Sequence, residues 1–205
     1  MSAANSRSEA PETNPPDKPS QGDLSRFLKA WRGAPLQTGA FAPSSRALAR
    51  AMAEEVLAGR KPGQLIEVGP GTGPFTRALL EIGYAEENLT LIEYNPAFVD
   101  LLRERFPRAR IVRGSAFHIA EIAAEHGITQ VDGVVSGLPL YVYPVPDRQK
   151  LVREAVRLSG PDGGMVQFTY FFKSPVPRLE GVRQRYRRFV PLNLWPASVW
   201  RYSQA

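Results

Sequence analysis

Residues Leu65-Ile-Glu-Val-Gly-Pro-Gly-Thr-Gly-Pro74 set an acidic side chain, Glu67, just ahead of three spaced glycines, Gly69, Gly71 and Gly73. A second acid, Glu93, closes the next apolar run, Leu89-Thr-Leu-Ile-Glu93. The residues before the glycines read as a buried strand, and the glycines let the backbone pass close to a ligand. Pro74 suits the first position of a helix, where a missing N–H costs nothing. In a βαβ unit, a carboxylate about 20 residues beyond such a loop can accept both hydroxyls of a ribose.

The spacing Gly-x-Gly-x-Gly discriminates among nucleoside ligands. A dinucleotide fingerprint wants a small residue at position 74, so that a pyrophosphate rests on the helix N-terminus. Pro74 stands there instead and removes one amide donor, while Glu67 adds negative charge before the loop. Both features favour S-adenosylmethionine, which carries positive charge and no phosphate, over NAD. Glycine triplets alone are weak evidence. The order strand, glycines, helix, strand, acid is far more specific.

These residues need a scaffold, and the downstream pattern supplies one. Helix 74–82 precedes strand 89–93, helix 96–106 precedes strand 110–113, helix 117–126 precedes strand 131–136, and helix 147–159 precedes strand 164–172. This alternation predicts an α/β fold with a parallel, doubly wound sheet. Thereafter Pro175, Pro177, Pro191 and Pro196 break any long helix, and 187–193 with 198–202 are expected to form a hairpin. Three parts are expected: a disordered tail 1–22, N-terminal helices 23–60, and a catalytic domain 61–205. The tail is rich in Pro, Ser and Asn and cannot bury enough apolar surface to order itself. In 23–32, Leu24, Phe27, Leu28 and Trp31 share one helical face, with Arg26 and Lys29 turned away. That helix either packs on the domain or lies in a lipid interface. A loop at 38–45 follows, then a helix capped by Ser44 or Ser45 that turns Leu48, Met52 and Val56 inward.

Ligands of open α/β sheets bind at the carboxyl ends of the strands. Four segments therefore converge: Glu67 to Gly73, Glu93-Tyr94, Gly114-Ser115-Ala116-Phe117, and Ser136-Gly137-Leu138-Pro139-Leu140-Tyr141. Tyr94 or Phe117 could cover the adenine, ordinary core packing being the alternative, and Ser115 could accept from its amino group. His118 is either a base on this rim or a surface residue, whereas His126 reads as a partner of a helix C-terminus. Amino-methyltransferases of nucleobases carry Asn or Asp, two prolines and an aromatic after the fourth strand, and its amide or acid oxygen binds the planar amino group. Ser136-Gly137-Leu138-Pro139 offers no such oxygen, which argues against a nucleobase acceptor and a nucleic-acid partner. A cationic amine suits aromatic faces and hydroxyls, which Tyr141, Tyr143 and Tyr170 could supply.

Composition narrows the class further. The 205 residues include no cysteine and two histidines, so no disulfide, thiolate zinc site or other metal site is expected. No run approaches the length of a bilayer span and no signal-like apolar region opens the chain, so a cytoplasmic location is expected. The net charge is +6, concentrated outside the central sheet. Between 173 and 188, Lys173, Arg178, Arg183, Arg185, Arg187 and Arg188 face a lone acid, Glu180. Such flanks imply an anionic partner, nucleic acid or a lipid surface.

From Leu24 onward the chain resembles the bacterial soluble-type phospholipid N-methyltransferases, which methylate phosphatidylethanolamine toward phosphatidylcholine. The likeness is carried by Phe27-Leu-Lys-Ala-Trp31, Thr38-Gly-Ala-Phe-Ala-Pro-Ser-Ser45, Glu67-Val-Gly-Pro-Gly-Thr-Gly73, Ser136-Gly-Leu-Pro139, Gln167-Phe-Thr-Tyr170 and residues 193–202. The resemblance implies a class I, Rossmann-like methyltransferase fold with a mostly parallel seven-stranded sheet. It also implies S-adenosylmethionine as cofactor and S-adenosylhomocysteine as product. It makes the Leu24–Trp31 face a contact with anionic membrane on the inner face of the cell membrane, and lays the 38–45 loop, with Thr38, Gly39 and Ser44, over the cofactor. Ser115 departs from the family's usual acid at the adenine contact. On this reading Tyr141 or Tyr170 relays the amine proton, and Tyr143, Arg178, Arg185 and Arg187 meet the headgroup; no metal is required. The runner-up is an rRNA adenine N6-dimethyltransferase-like enzyme. Those enzymes carry a helical RNA-binding domain after the sheet, where only 33 residues follow position 172 here. A non-catalytic S-adenosylmethionine-binding regulator of membranes is the third possibility.

Overall fold

A computed structural model of the protein describes residues 44–191 and 196–205. The expectations placed on 1–43, including the Leu24–Trp31 face, Thr38 and Gly39, lie outside the described residues, as does the side chain of Ser44. Helix α1 (Ser44–Leu57) is followed by β1 (Leu65–Val68), α2 (Pro74–Glu81), β2 (Leu89–Glu93), α3 (Pro96–Arg105), β3 (Arg110–Arg113), α4 (Ile119–Glu125), β4 (Gly133–Ser136), α5 (Val145–Leu158), β5 (Met165–Thr169), β6 (Val182–Val190) and β7 (Ala197–Gln204).

The strands form one seven-stranded sheet in the order β3-β2-β1-β4-β5-β7-β6. Pairing is parallel from β3 through β5, while β7 runs antiparallel to both β5 and β6. Strands β1, β2 and β4 are buried along their whole length, as befits apolar runs covered on both faces by helices. One core joins Leu48, Met52 and Val56 of α1 with Leu79 of α2 and Leu102 of α3. The other joins Ile119 and Ile122 of α4 with Leu151, Val152 and Val156 of α5 and Tyr202 of β7. The inward face expected of α1 is therefore correct, and α1 shares its core with the sheet.

The edge strands show a different logic. β6 reads Val-Arg-Gln-Arg-Tyr-Arg-Arg-Phe-Val and carries a register irregularity at Tyr186/Arg188. Dense charge and a bulge both oppose pairing with another chain. Its arginines also tether α1: Arg187 Nε lies 2.8 Å from Glu55 Oε1, and Arg188 Nη1 lies 2.8 Å from Glu54 Oε2. Arg201 of β7 donates to the Glu55 carbonyl at 2.7 Å and approaches the Glu55 carboxylate at 3.7 Å.

From Ser44 onward the expected elements are present with shifted bounds, and three of the shifts change the reading. Strand 164–172 ends at Thr169, because β7 pairs through Ser198↔Thr169 and no strand continues beyond it. The final hairpin is longer than the expected 187–193 and 198–202, starting at Val182 and ending at Gln204. Helix 117–126 is a 3-10 turn, Ala116–His118, followed by α4.

The Glu55 side chain is 10% exposed and that of Arg201 14%, so neither charge is well solvated without the other. Glu55→Ala should lower stability by about 2–4 kcal/mol, since it leaves a partly buried guanidinium uncompensated. Thermal melts of Glu55→Ala, Arg201→Ala and the double variant check this, with the double loss smaller than the sum.

Candidate active site

The strand order reverses between β1 and β4, and the loops leaving their carboxyl ends press together. A Cβ built on Gly137 would lie 2.4 Å from the Gly69 carbonyl oxygen, and one on Gly69 would lie 2.5 Å from Leu138 Cδ2. The Gly137 amide donates to the Val68 carbonyl at 2.9 Å. Further along the first loop the surroundings open. A Cβ on Gly71 would have nothing within 4 Å. Gly73 takes φ 81° as the N-cap of α2, and Pro74 occupies the first turn, as the missing-donor argument requires.

Two carboxylates underlie this loop. Glu93 is 7% exposed. Its Oε2 accepts from the Gly71 amide at 3.1 Å and its Oε1 from the Asn95 amide at 2.8 Å. A carboxylate has about four acceptor sites, so one remains on each oxygen, as a pair of ribose hydroxyls would require. Glu67 is fully buried. Thr76 donates to its Oε2 at 2.7 Å, while Oε1 has no protein partner. Burial pushes its carboxyl up to about 8, with the charge of Glu93 acting in the same direction. Without a ligand, Glu67 is therefore protonated at neutral pH and does not supply the negative charge expected from sequence. Its orphaned oxygen fits a cationic ligand, which would favour the ionised form.

The remaining expected residues divide. Ser115 caps the turn after β3, its Oγ accepting from the Phe117 amide at 3.3 Å. Gly114 and Ala116 flank it on the rim, where a Cβ on Gly114 would meet Ile122 at 2.7 Å. Phe117 packs edge-on against Tyr143, centroids 4.9 Å apart, so these two join the loops after β3 and β4. Tyr94 is 73% exposed and takes no part in the core. Ser136 is buried, its Oγ accepting from the Leu138 amide at 3.4 Å. His118 is exposed and contacts Glu121, while His126 ends α4.

Tyr141 and Tyr170 are placed differently. The Tyr141 hydroxyl donates to the carbonyls of Lys173 and Ser174, at 3.1 and 3.2 Å, and burial holds its pKa above the ordinary phenol value. The Arg148 guanidinium lies 5.7 Å from its ring centroid. Tyr170 lies just past β5, its ring edge-on to Phe168 at 5.4 Å, and Phe168 in turn lies 5.7 Å from Phe75 of α2. These rings run from the glycine loop outward.

The basic cluster expected at the headgroup is dispersed. Arg185 pairs with Arg201, which pairs with Val166, so it stands level with Glu67, below the rim. It is also four strands from β1, roughly 19 Å at ordinary strand spacing. Pro177 accepts from Gln184 Nε2, which carries the segment bearing Arg178 toward the start of β6. Arg187 is held by Glu55. Residue spacing joined these arginines, whereas strand pairing carries Arg185 away from the crevice and Glu55 holds Arg187.

Gln167 was not singled out as a site residue, yet it is fully buried in β5 opposite Ser136. Its Nε2 donates to the Leu138 carbonyl at 2.8 Å and its Oε1 has no protein partner. A lone amide inside the apolar run Met-Val-Gln-Phe-Thr was the available signal.

Sheet order, glycine loop and paired acids define a class I, Rossmann-like methyltransferase. A methyltransferase-domain family model matches residues 65–163. The ornithine lipid N-methyltransferase of Singulisphaera acidiphila is 34% identical over 148 residues, covering 66% of this chain and 73% of that protein. Among solved structures, TrmN from Thermus thermophilus superposes with TM-score 0.59 at 18% identity, covering 80% of this chain and 52% of that one. A TehB-like SAM-dependent methyltransferase from Corynebacterium glutamicum gives TM-score 0.55 at 17% identity, covering 91% and 100%. The chain belongs to the S-adenosylmethionine-dependent methyltransferases.

Two measurements test the site. Glu93→Ala should weaken S-adenosylhomocysteine binding by about 100-fold, from the loss of two charge-assisted hydrogen bonds, as read by calorimetry. Glu67 has a folded-state value near 8, above that of an unfolded glutamate. Its contribution to stability is therefore complete below about pH 4 and lost as pH rises through the folded value. Glu67→Gln should match wild type in thermal melts near pH 4 and exceed it progressively toward pH 8 without cofactor. A constant offset across that range would refute the buried-acid assignment.

Proposed function

We propose that the protein methylates the primary amine of a membrane aminolipid, phosphatidylethanolamine, toward phosphatidylcholine. The observation that carries this reading is the loop after β4. Within the loop the Ser136 hydroxyl is turned to the Leu138 amide, and no loop side chain carries an amide or carboxylate oxygen for a planar nucleobase amine. The crevice wall beyond it is aromatic. The similarity to an ornithine lipid N-methyltransferase supports a lipid amine as acceptor and makes ornithine lipid the second candidate. The rRNA adenine reading lacks the polar group it needs at this loop.

When bound, S-adenosylmethionine supplies an electrophilic methyl on its sulfonium, the thioether of S-adenosylhomocysteine being the leaving group. Glu93 and the Gly71 loop would hold the adenosyl part, and Glu67, losing its proton, would balance the positive charge. The acceptor must offer a neutral amine. A lysine-like amine is neutral in about one molecule per thousand at pH 7, a handicap near 4 kcal/mol. Aromatic walls that exclude water lower that cost. The methylated nitrogen takes over the positive charge from sulfur, so the one proton that must leave departs the ammonium before attack. In this reading Tyr170, just past β5, or Tyr141 relays that proton, the Tyr141 hydroxyl donating to the Lys173 and Ser174 carbonyls. Tyr143, fixed on Phe117, offers a ring face to the headgroup amine.

The test is incubation of the full chain with methyl-labelled S-adenosylmethionine and mixed lipids in detergent micelles, followed by separation of the lipids. Label in phosphatidylethanolamine derivatives is expected. Label confined to ornithine lipid would move the acceptor, and label in added rRNA alone would overturn the lipid reading.

A further inference from the structure

Among the described residues, six of the seven exposed large apolar side chains stand at one edge of the sheet; the seventh, Tyr186, lies within β6 against Trp200. Tyr94 follows the last residue of β2, Val145 opens α5 after the β4 loop, and Tyr170, Phe171 and Phe172 follow β5. Phe189 pairs with Ser198, which pairs with Thr169, the last residue of β5. All six therefore stand at the carboxyl edge, the one that carries the glycine loop and its two acids. Phe172 is 73% exposed and Phe171 54%. Phe172 stacks on Phe189 with centroids 5.5 Å apart, and Phe171 packs edge-on against Tyr141 at 4.8 Å. The rings after β5 thus join those of β6 and the β4 loop in an exposed aromatic cluster, and exposed apolar surface of this kind marks an interaction site.

The charge at this edge is complementary to an anion. Arg77 in the first turn of α2, Arg113 at the end of β3 and Lys173 beside Phe172 are exposed, and none has a carboxylate partner among the described ion pairs. Of the acids at the strand ends and following helix starts, Glu93 is buried, Asp147 near Val145 is partly exposed, and the exposed Glu121 lies 3.6 Å from Lys150. Exposed rings and bases along one edge suit the boundary between headgroups and acyl chains of an anionic bilayer. No helix among the described residues is long and apolar enough to cross a membrane.

We infer that the carboxyl edge of the sheet is a membrane-docking face, whose rings enter an anionic lipid surface and hold the mouth of the crevice against the headgroups. The inference rests on the lipid-amine reading. It is independent of the 23–32 segment, because the face is built from residues of the catalytic sheet. It also gives the acceptor a path, since an amine need only descend from the headgroup plane into the crevice while its acyl chains stay in the bilayer. A nucleic acid is the less suitable occupant, because the three bases are scattered around the rings and do not form a continuous track.

The chain has no cysteine, so single cysteines can carry an environment-sensitive fluorophore at chosen places in the full protein. Phe172→Cys and Val145→Cys label the docking face. Glu87→Cys, in the turn before β2, labels the opposite edge. With vesicles of phosphatidylglycerol and phosphatidylethanolamine, emission from either rim label should rise about twofold or more as it enters the interface, and the Glu87 label should not respond. Silence at both rim positions, an equal response at Glu87, or a rim response to single-stranded RNA but not to vesicles would each overturn the docking face. Lipid methylation by the unlabelled chain in micelles reads the activity separately. Activity there with silent rim labels sinks the docking face alone, whereas absence of activity sinks the lipid-amine reading whatever the labels show.

Discussion

Between the carboxyl ends of β1 and β4 there is room for two backbones and no side chain. With the Gly137 α-carbon packed against the Gly69 carbonyl, any Cβ there would meet a backbone atom at 2.4 Å. Close approach at this point forces the two loops to diverge above it. One leads over Gly71 to α2, the other through Leu138 to α5. The open space beside Gly71 is the consequence, and the two acids are positioned by it. Glu93 reaches across to the Gly71 amide, and Glu67 is sealed beneath, held by Thr76.

Burial then decides the chemistry of these acids. A carboxylate in contact with water would be ionised at neutral pH, but Glu67 has lost that water and gained one hydroxyl donor. Its unpartnered oxygen favours a cationic ligand once that ligand draws out the ionised form. Glu93 sits at the surface of the same pocket with two backbone donors already in place, which orients its free acceptor positions toward the crevice. The adenosyl donor is thus selected by desolvation and by the missing amide of Pro74 together. Rings extending from Phe75 through Phe168 to Tyr170 continue the wall outward.

Much of this was legible in the residues themselves. Glycine spacing, Pro74, the two acids and the alternation of apolar runs specify local events: a turn, a helix start, a buried parallel strand. Such events depend on neighbours in the chain, so pattern alone reaches them. The 164–172 run shows where that logic stops. Its composition is that of a strand through Phe172, yet a strand needs a partner at each residue, and β7 provides none past Thr169. Tyr170, Phe171 and Phe172 therefore turn outward, and a reading as buried strand becomes an exposed aromatic rim.

Sequence by itself determined the fold class, the cofactor class and the places where ligand-facing loops leave the strands, because each follows from backbone geometry over a few residues. Tertiary structure decided the rest. It placed Arg185 at mid-strand, four strands from the crevice, since register with Arg201 and Val166 is a long-range fact. It committed the Tyr141 hydroxyl to Lys173 and Ser174, some thirty residues away in the chain. It put Gln167 under the Leu138 loop, and it held a proton on Glu67. Charge state, hydrogen-bond commitment and distance across a sheet depend on which distant segments exclude water and which supply partners, and only the folded chain brings those segments together.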